Sequence, residues 1–278
     1  MGTPRPVLSK RRLADGSPLD YRAFVPAEGG AQSVVVLVHG ASRSAAMQFR
    51  SFLPAAIASG TPLLAPTFSE AAFSGYQRLR GAAGALAAAD ALTEMLDDAG
   101  RELGLETHQV GMVGFSGGAQ FAHRYAMVRP ERVRALVLAS AGWFTLLDSR
   151  LPFPEGTRAS LDSRDRDVDI DAFLGVPLHL LVGERDVETG GRLRHSRSLD
   201  RRQGSHRLAR ALHWIDHVED VAKARGRPSR VSFDLMADTG HSFTEAAGQG
   251  RLVERALAFL RAAQAATTAT TTEHGRTS

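Results

Sequence analysis

Apolar and polar positions divide the chain into short apolar runs of strand length, separated by longer stretches with helical spacing. The segments 7–13 and 19–25 flank the turn Ala14-Asp15-Gly16-Ser17, which predicts an opening hairpin. The run 33–39 contains Val-Val-Val-Leu-Val, a continuous β-branched stretch of the kind buried on both faces of a parallel sheet. Further buried strands are predicted at 62–65, 109–115, 133–139, 177–182 and 231–236. Amphipathic or alanine-rich helices are predicted at 45–58, 81–103, 117–127, 205–225 and 250–266. Two strands followed by repeated strand–helix units predict an α/β fold: a doubly wound, mostly parallel sheet with helices on both faces.

Two segments break the alternation. After the sixth strand, 142–175 carries Trp143, Phe144, Leu146, Leu147 and Phe153, then the charge-alternating stretch 162–171, and reads as a short cap-like insertion over the strand ends. The segment 267–278 is polar and rich in threonine, with little to bury, and is expected to be a disordered tail. Residues 1–266 are therefore expected to form one domain, a common length for a single α/β fold.

Composition narrows the chemistry. With no cysteine, disulfides, thiolate metal sites and cysteine nucleophiles are excluded. The net charge of +4 is modest and the basic residues are scattered, so nucleic acid is not expected as a partner, and no run is long enough to cross a bilayer, so no membrane is expected; the partner expected, on the chemistry that follows, is a small molecule. Oligomeric state is not legible. The first residues lack a basic start followed by an apolar stretch, which favours the cytoplasm. Scattering fails at Arg192, Arg194, Arg197, Arg201 and Arg202, which crowd one segment. A solvated loop is the expected reading there, and an anion-binding wall the alternative. No His, Asp or Glu cluster has metal-ligand spacing, and 162–171 lacks the fixed glycine of a calcium loop, so no metal is expected.

The chemistry concentrates at Gly114-Phe115-Ser116-Gly117-Gly118, which follows a predicted strand and opens a predicted helix. Such a turn strains the serine backbone so that the hydroxyl stands clear of the sheet, and the residues two before and two after it are glycine because their backbones nearly touch. A serine hydroxyl needs a histidine to take its proton and a carboxylate to orient that histidine. In a doubly wound sheet these groups sit in loops leaving the carboxyl ends of strands. Asp186, in Gly183-Glu184-Arg185-Asp186, and His241, in Asp238-Thr239-Gly240-His241, pass that filter. His123, His206, His213 and His217 fall on predicted helices and read as surface or satisfied residues.

The order Ser116, Asp186, His241, with His39-Gly40 after the third strand, resembles the α/β-hydrolase superfamily over 7–266. More loosely, Gly114-Phe115-Ser116-Gly117-Gly118 and Ala141-Gly142-Trp143 resemble small-capped esterases of the polyhydroxyalkanoate depolymerase kind. The resemblance implies Asp186, rather than Glu184 or Asp238, as the acid, and a structural role for His39. It also implies an oxyanion hole from the amides of Gly117 and Ala41, with Ser42 as the fallback donor. A serine esterase working through an acyl-enzyme without cofactor follows, on short to medium acyl or hydroxyacyl esters and polyester oligomers. Trp143 and Phe144 are expected to line the substrate pocket with Ser42, against the alternative that they anchor the insertion. An amidase or peptidase on the same residues, and a binding protein on the same fold, are the rival functions.

Overall fold

The computed structural model describes residues 5–12, 18–27, 33–159, 168–191 and 193–274. The elements follow in the order β1 (Arg5–Arg12), β2 (Pro18–Val25), β3 (Val35–Val38), α1 (Ala45–Ser59), β4 (Leu63–Thr67), α2 (Glu70–Phe73), α3 (Ala87–Leu103), β5 (Val110–Phe115) and α4 (Gly117–Val128). The second half continues with β6 (Val133–Ala139), α5 (Ile170–Leu174), β7 (Leu178–Gly183), α6 (Arg197–Gln203), α7 (Arg207–Ala224), β8 (Val231–Met236), α8 (Phe243–Ala247) and α9 (Leu252–His274).

Among the described residues the sheet has eight strands, in the order β1-β2-β4-β3-β5-β6-β7-β8. β1 pairs antiparallel with β2, and β2 antiparallel with β4, while every other pairing is parallel. The period of two along β3 explains why it needs apolar residues throughout. Val34, Val36 and Val38 enter one core with residues of α3, α4 and α7, whereas Val35 and Leu37 enter the opposite core with residues of α1 and α9. All five are nearly or wholly inaccessible, and burial of each stabilises the fold by roughly 1.5–3 kcal/mol. Chain direction reverses its march across the sheet between β3 and β5, and the crevice at their carboxyl ends is where open α/β sheets bind ligands.

Several expected elements come out differently. The helix expected over 81–103 starts at Ala87, because 81–86 is a turn closed by hydrogen bonds between Gly81 and Gly84, residues that resist helix. The buried strand expected at 231–236 is an edge strand, and its Leu235 is exposed, with no strand among the described residues beyond it. α9 runs on to His274, so the expected disordered tail is helical over 267–274; each residue added to an established helix gains one backbone bond without a new nucleus. α6 takes in Arg197, Arg201 and Arg202 of the arginine-rich segment expected to be a loop, started by Ser196, whose Oγ accepts from Leu199 N at 3.1 Å, while Arg194 stays outside any helix or strand. The hairpin turn Ala14-Asp15-Gly16-Ser17, most of the charge-alternating stretch, Arg192 and the last four residues lie outside the described residues.

Candidate active site

β5 delivers Ser116 directly to the start of α4. Its backbone sits at φ 54° and ψ −113°, a conformation that costs a non-glycine residue on the order of 1–3 kcal/mol. Surrounding packing enforces it: Ser116 N donates to Ala139 O at 2.8 Å. The flanking glycines have no alternative. A Cβ on Gly118 would stand 1.9 Å from Val38 O, and one on Gly114 would stand 2.4 Å from the Gly118 carbonyl carbon. α4 can approach β3 and β5 this closely only because both positions lack side chains.

The loops after β7 and β8 bring the two remaining candidates to the hydroxyl. Ser116 Oγ lies 3.0 Å from His241 Nε2, and His241 Nδ1 lies 2.9 Å from Asp186 Oδ2. A proton on Nδ1 donated to the carboxylate leaves Nε2 as the acceptor for the serine hydroxyl. Asp186 is wholly buried, and its other oxygen accepts from Arg207 Nη1 at 3.2 Å, so the carboxylate is charge-paired as well as hydrogen-bonded. The turns themselves interlock, since a Cβ on Gly183 would meet Thr239 O at 2.2 Å. Glu184 and Asp238 are exposed, Asp238 N donates to Glu184 Oε2 at 3.2 Å, and the carboxylate hydrogen-bonded to His241 is that of Asp186.

Residues that the sequence did not single out fix the imidazole. The Phe115 ring stacks on His241 with centroids 5.4 Å apart, and Phe243 meets Phe115 edge-on. Glu245 Oε2 accepts from Gly240 N at 2.8 Å, and Ser242 Oγ accepts from Glu245 N at 3.4 Å. That pair had a local signal: Ser242-Phe243-Thr244-Glu245 has the Ser-x-x-Glu spacing of a helix start, immediately after His241. Arg207 and the Phe115 stack had none, because both are long-range contacts.

The loop after β3 folds over the start of α4. A Cβ on Gly117 would stand 3.2 Å from Ala41 N and 2.8 Å from Tyr76 Oη, which places the Ala41 amide and the first turn of α4 side by side. The helix dipole adds positive potential at that end. His39 holds the loop, with Nε2 accepting from Phe68 N at 3.0 Å and Nδ1 donating to Gly40 O at 2.9 Å. Burial lowers its pKa from 6.5 to about 4, so it is neutral near pH 7, in keeping with a structural role. Tyr76 Oη donates to His39 O at 2.8 Å, and Arg43 clamps the next residues by bonding the Phe68 carbonyl and the Glu70 carboxylate.

These residues open on a cavity of about 680 Å³, whose wall includes Ala41, Ser42, Ser116, Gly117, Trp143 and His241. Trp143 and Phe144 part company here. Trp143 faces the cavity, whereas Phe144 is a core residue absent from its wall and stacks on Trp214 with centroids 4.6 Å apart. Leu146 and Leu147 join the same core, so Phe144 anchors the insertion instead of touching the cavity. His123 and His217 serve that anchoring: Thr145 N donates to His123 Nε2 at 3.1 Å, and Leu147 N to His217 Nε2 at 2.9 Å. Burial, chiefly, pushes both imidazoles toward the neutral form that such acceptance requires. Among the described residues no three His, Asp or Glu side chains are placed to hold a metal, and no helix is long and apolar enough to cross a membrane.

The family model of the alpha/beta hydrolase fold matches residues 33–247, and the chain belongs to that family. Among solved structures, the chain is similar to the poly(3-hydroxybutyrate) depolymerase LpqC from Bordetella parapertussis, at 28% identity and a TM-score of 0.73, over 88% of this chain and 86% of that one. Poly(aspartic acid) hydrolase-1 from Sphingomonas sp. KT-1 shares the fold at 23% identity and a TM-score of 0.77, over 91% of this chain and 98% of that one. The S-formylglutathione hydrolase FrmB from Staphylococcus aureus shares it at 12% identity and a TM-score of 0.60, over 93% and 100%. No curated protein matches the chain.

Proposed function

We propose that this alpha/beta hydrolase cleaves carboxylic esters of small molecules through an acyl-enzyme formed on Ser116. The observation that carries the reading is the unbroken line from Ser116 Oγ to His241 Nε2, 3.0 Å, and from His241 Nδ1 to Asp186 Oδ2, 2.9 Å, at the floor of an open cavity. Ser116 Oγ attacks the acyl carbon while His241 Nε2 takes the hydroxyl proton, and Asp186 stabilises the imidazolium that results. The carbonyl oxygen, now an oxyanion, is received by the amides of Gly117 and Ala41, a kind of interaction worth a few kcal/mol per donor. Collapse breaks the bond to the alcohol, which leaves with the proton from Nε2. Water, deprotonated by the same nitrogen, then releases the acid and restores the serine. No cofactor enters this sequence.

The cavity volume lies within the range of sites for small organic ligands, and its wall pairs the Trp143 face with the polar loop at Ser42. That supports short to medium acyl or hydroxyacyl esters, and the similarity to a poly(3-hydroxybutyrate) depolymerase makes polyester oligomers a reasonable further substrate. An ester series of graded acyl length, run beside the matching anilides, tests the reading. Turnover of short and medium esters with much slower anilide cleavage is expected; anilide or peptide cleavage that outpaces every ester overturns it.

A further inference from the structure

The wall of the same cavity carries positive charge that the ester chemistry does not use. Two guanidinium groups lie over the Trp143 ring, with Arg124 Cζ 4.0 Å and Arg194 Cζ 4.8 Å from its centroid. Arg124 is fully buried. Its Nε donates to Thr145 Oγ1 at 2.9 Å, and its Nη1 donates to Gln77 O at 2.5 Å and to Gln120 Oε1 at 3.5 Å. Among the described residues its Nη2 has no hydrogen-bond partner, and no carboxylate lies within ion-pairing distance. Gln77, Gln120 and Trp143 all line the cavity, so Arg124 stands immediately behind that wall.

A buried cation without a counter-ion is costly. Burial first, and then the charges of Arg78 and Arg194, oppose protonation of Arg124. A guanidinium nevertheless keeps its proton in proteins, so the cost falls on the fold unless an anion offsets it. The neighbours deepen the surplus. Arg78 lines the cavity, and its guanidinium makes no hydrogen bond or ion pair to another described residue. Arg194 must share Glu155 with Arg202, at 3.3 Å and 2.6 Å. Of the other charged groups on the wall, Arg207 is occupied by Asp186, and Glu188 is an exposed residue of the loop after β7.

We infer that this wall is an anion subsite, and that the ester the enzyme takes carries a carboxylate, which Arg78 and Arg194 grip beside Trp143 with Arg124 behind it. Arginine suits the task because its planar fork matches a carboxylate bidentately. The arginine-rich segment recognised in the sequence thereby contributes one of its members, Arg194, to the site. The inference rests on the ester-hydrolase reading only for what happens to the ligand after it binds.

Binding to Ser116→Ala separates the two. Monomethyl succinate, glutarate and adipate are titrated calorimetrically, each against its dimethyl ester, so that reach varies while the charge is switched on or off. At least one monoester is expected to bind ten-fold or more tightly than its diester at low salt, with the preference shrinking in 0.5 M NaCl, as screening of a partly open ion pair requires. The preference should fall about ten-fold in Arg78→Gln/Arg194→Gln, a pair of largely solvent-facing changes that leaves the buried core alone. Equal binding of monoester and diester at every length, no binding of either, or a preference that survives the double substitution overturns the subsite. Preferential binding of the monoesters by Ser116→Ala, with no turnover of any ester by the wild type, sinks the hydrolase reading and leaves the subsite standing.

Discussion

Arg207 donates from Nη1 to Asp186 Oδ1 at 3.2 Å, on the carboxylate oxygen opposite the one that faces His241. Asp186 is thus held at both oxygens inside the protein, and the orientation it imposes on the imidazole depends on a residue at the start of α7. Arg207→Gln is expected to lower kcat about ten-fold or more and to destabilise the fold by roughly 3 kcal/mol, because the partner carboxylate is left buried without its cation. Arg207→Lys restores the charge and should recover part of both. Steady-state kinetics and thermal melts of the two variants check this; wild-type kcat in Arg207→Gln would show that the pair is dispensable.

His39 makes stability depend on pH. The unfolded chain takes up its proton near pH 6.5, whereas the folded chain resists until about pH 4. Its neutral form therefore contributes stability that is fully present above pH 6.5 and is lost as pH falls toward 4, at about 1.4 kcal/mol per pH unit. Urea titrations of wild type and His39→Gln between pH 6.5 and 4.5 should differ in slope by up to this amount, with the variant flatter. Parallel slopes would mean that His39 is protonated in the folded protein.

Gly118 tests the elbow as a packing device. A methyl group there would enter the Val38 carbonyl, a contact that only a backbone shift can relieve. Gly118→Ala is expected to lose more than about 3 kcal/mol or to fail to fold, far beyond the 0.5–1 kcal/mol that alanine ordinarily gains over glycine in a helix. A Gly118→Ala protein that melts like the wild type would contradict the close approach of α4 to β3.

What the sequence made legible follows from where the information lies. Gly114, Ser116 and Gly118 meet within one turn, so their spacing alone carries the geometry, and the apolar runs of β3 and β5 announce a sheet covered on both faces. Asp186 and His241 are picked out by strand ends, a rule of topology. Arg207, Phe115 over His241, and the Arg124–Trp143–Arg194 cluster depend on residues far apart in sequence that meet only on folding, and no local pattern records them. The same holds for Phe144, whose apolar ring is equally consistent with a cavity wall and a core until Trp214 is placed against it.

Trp143 and Phe144 should accordingly differ in kind. Trp143→Phe keeps an aromatic face but withdraws part of the cavity wall, and is expected to raise KM and shift acyl preference. Phe144→Leu loosens the stack on Trp214 and is expected to lower the melting temperature, with a cost of about 1–3 kcal/mol, while leaving acyl preference as it was. Michaelis parameters over the ester series, taken beside melting temperatures, distinguish them. The reverse pattern would exchange their roles.

The central claim, that Ser116 is the nucleophile activated by His241 and Asp186, is tested most directly by the rate of fluorophosphonate labelling, with the modified residue located by peptide mass. Wild type should carry one adduct on Ser116, Ser116→Ala none, and His241→Ala and Asp186→Asn should label orders of magnitude more slowly, while Glu184→Gln and Asp238→Asn stay near the wild-type rate. Labelling at another residue, or labelling of folded Asp186→Asn at the wild-type rate, would contradict it.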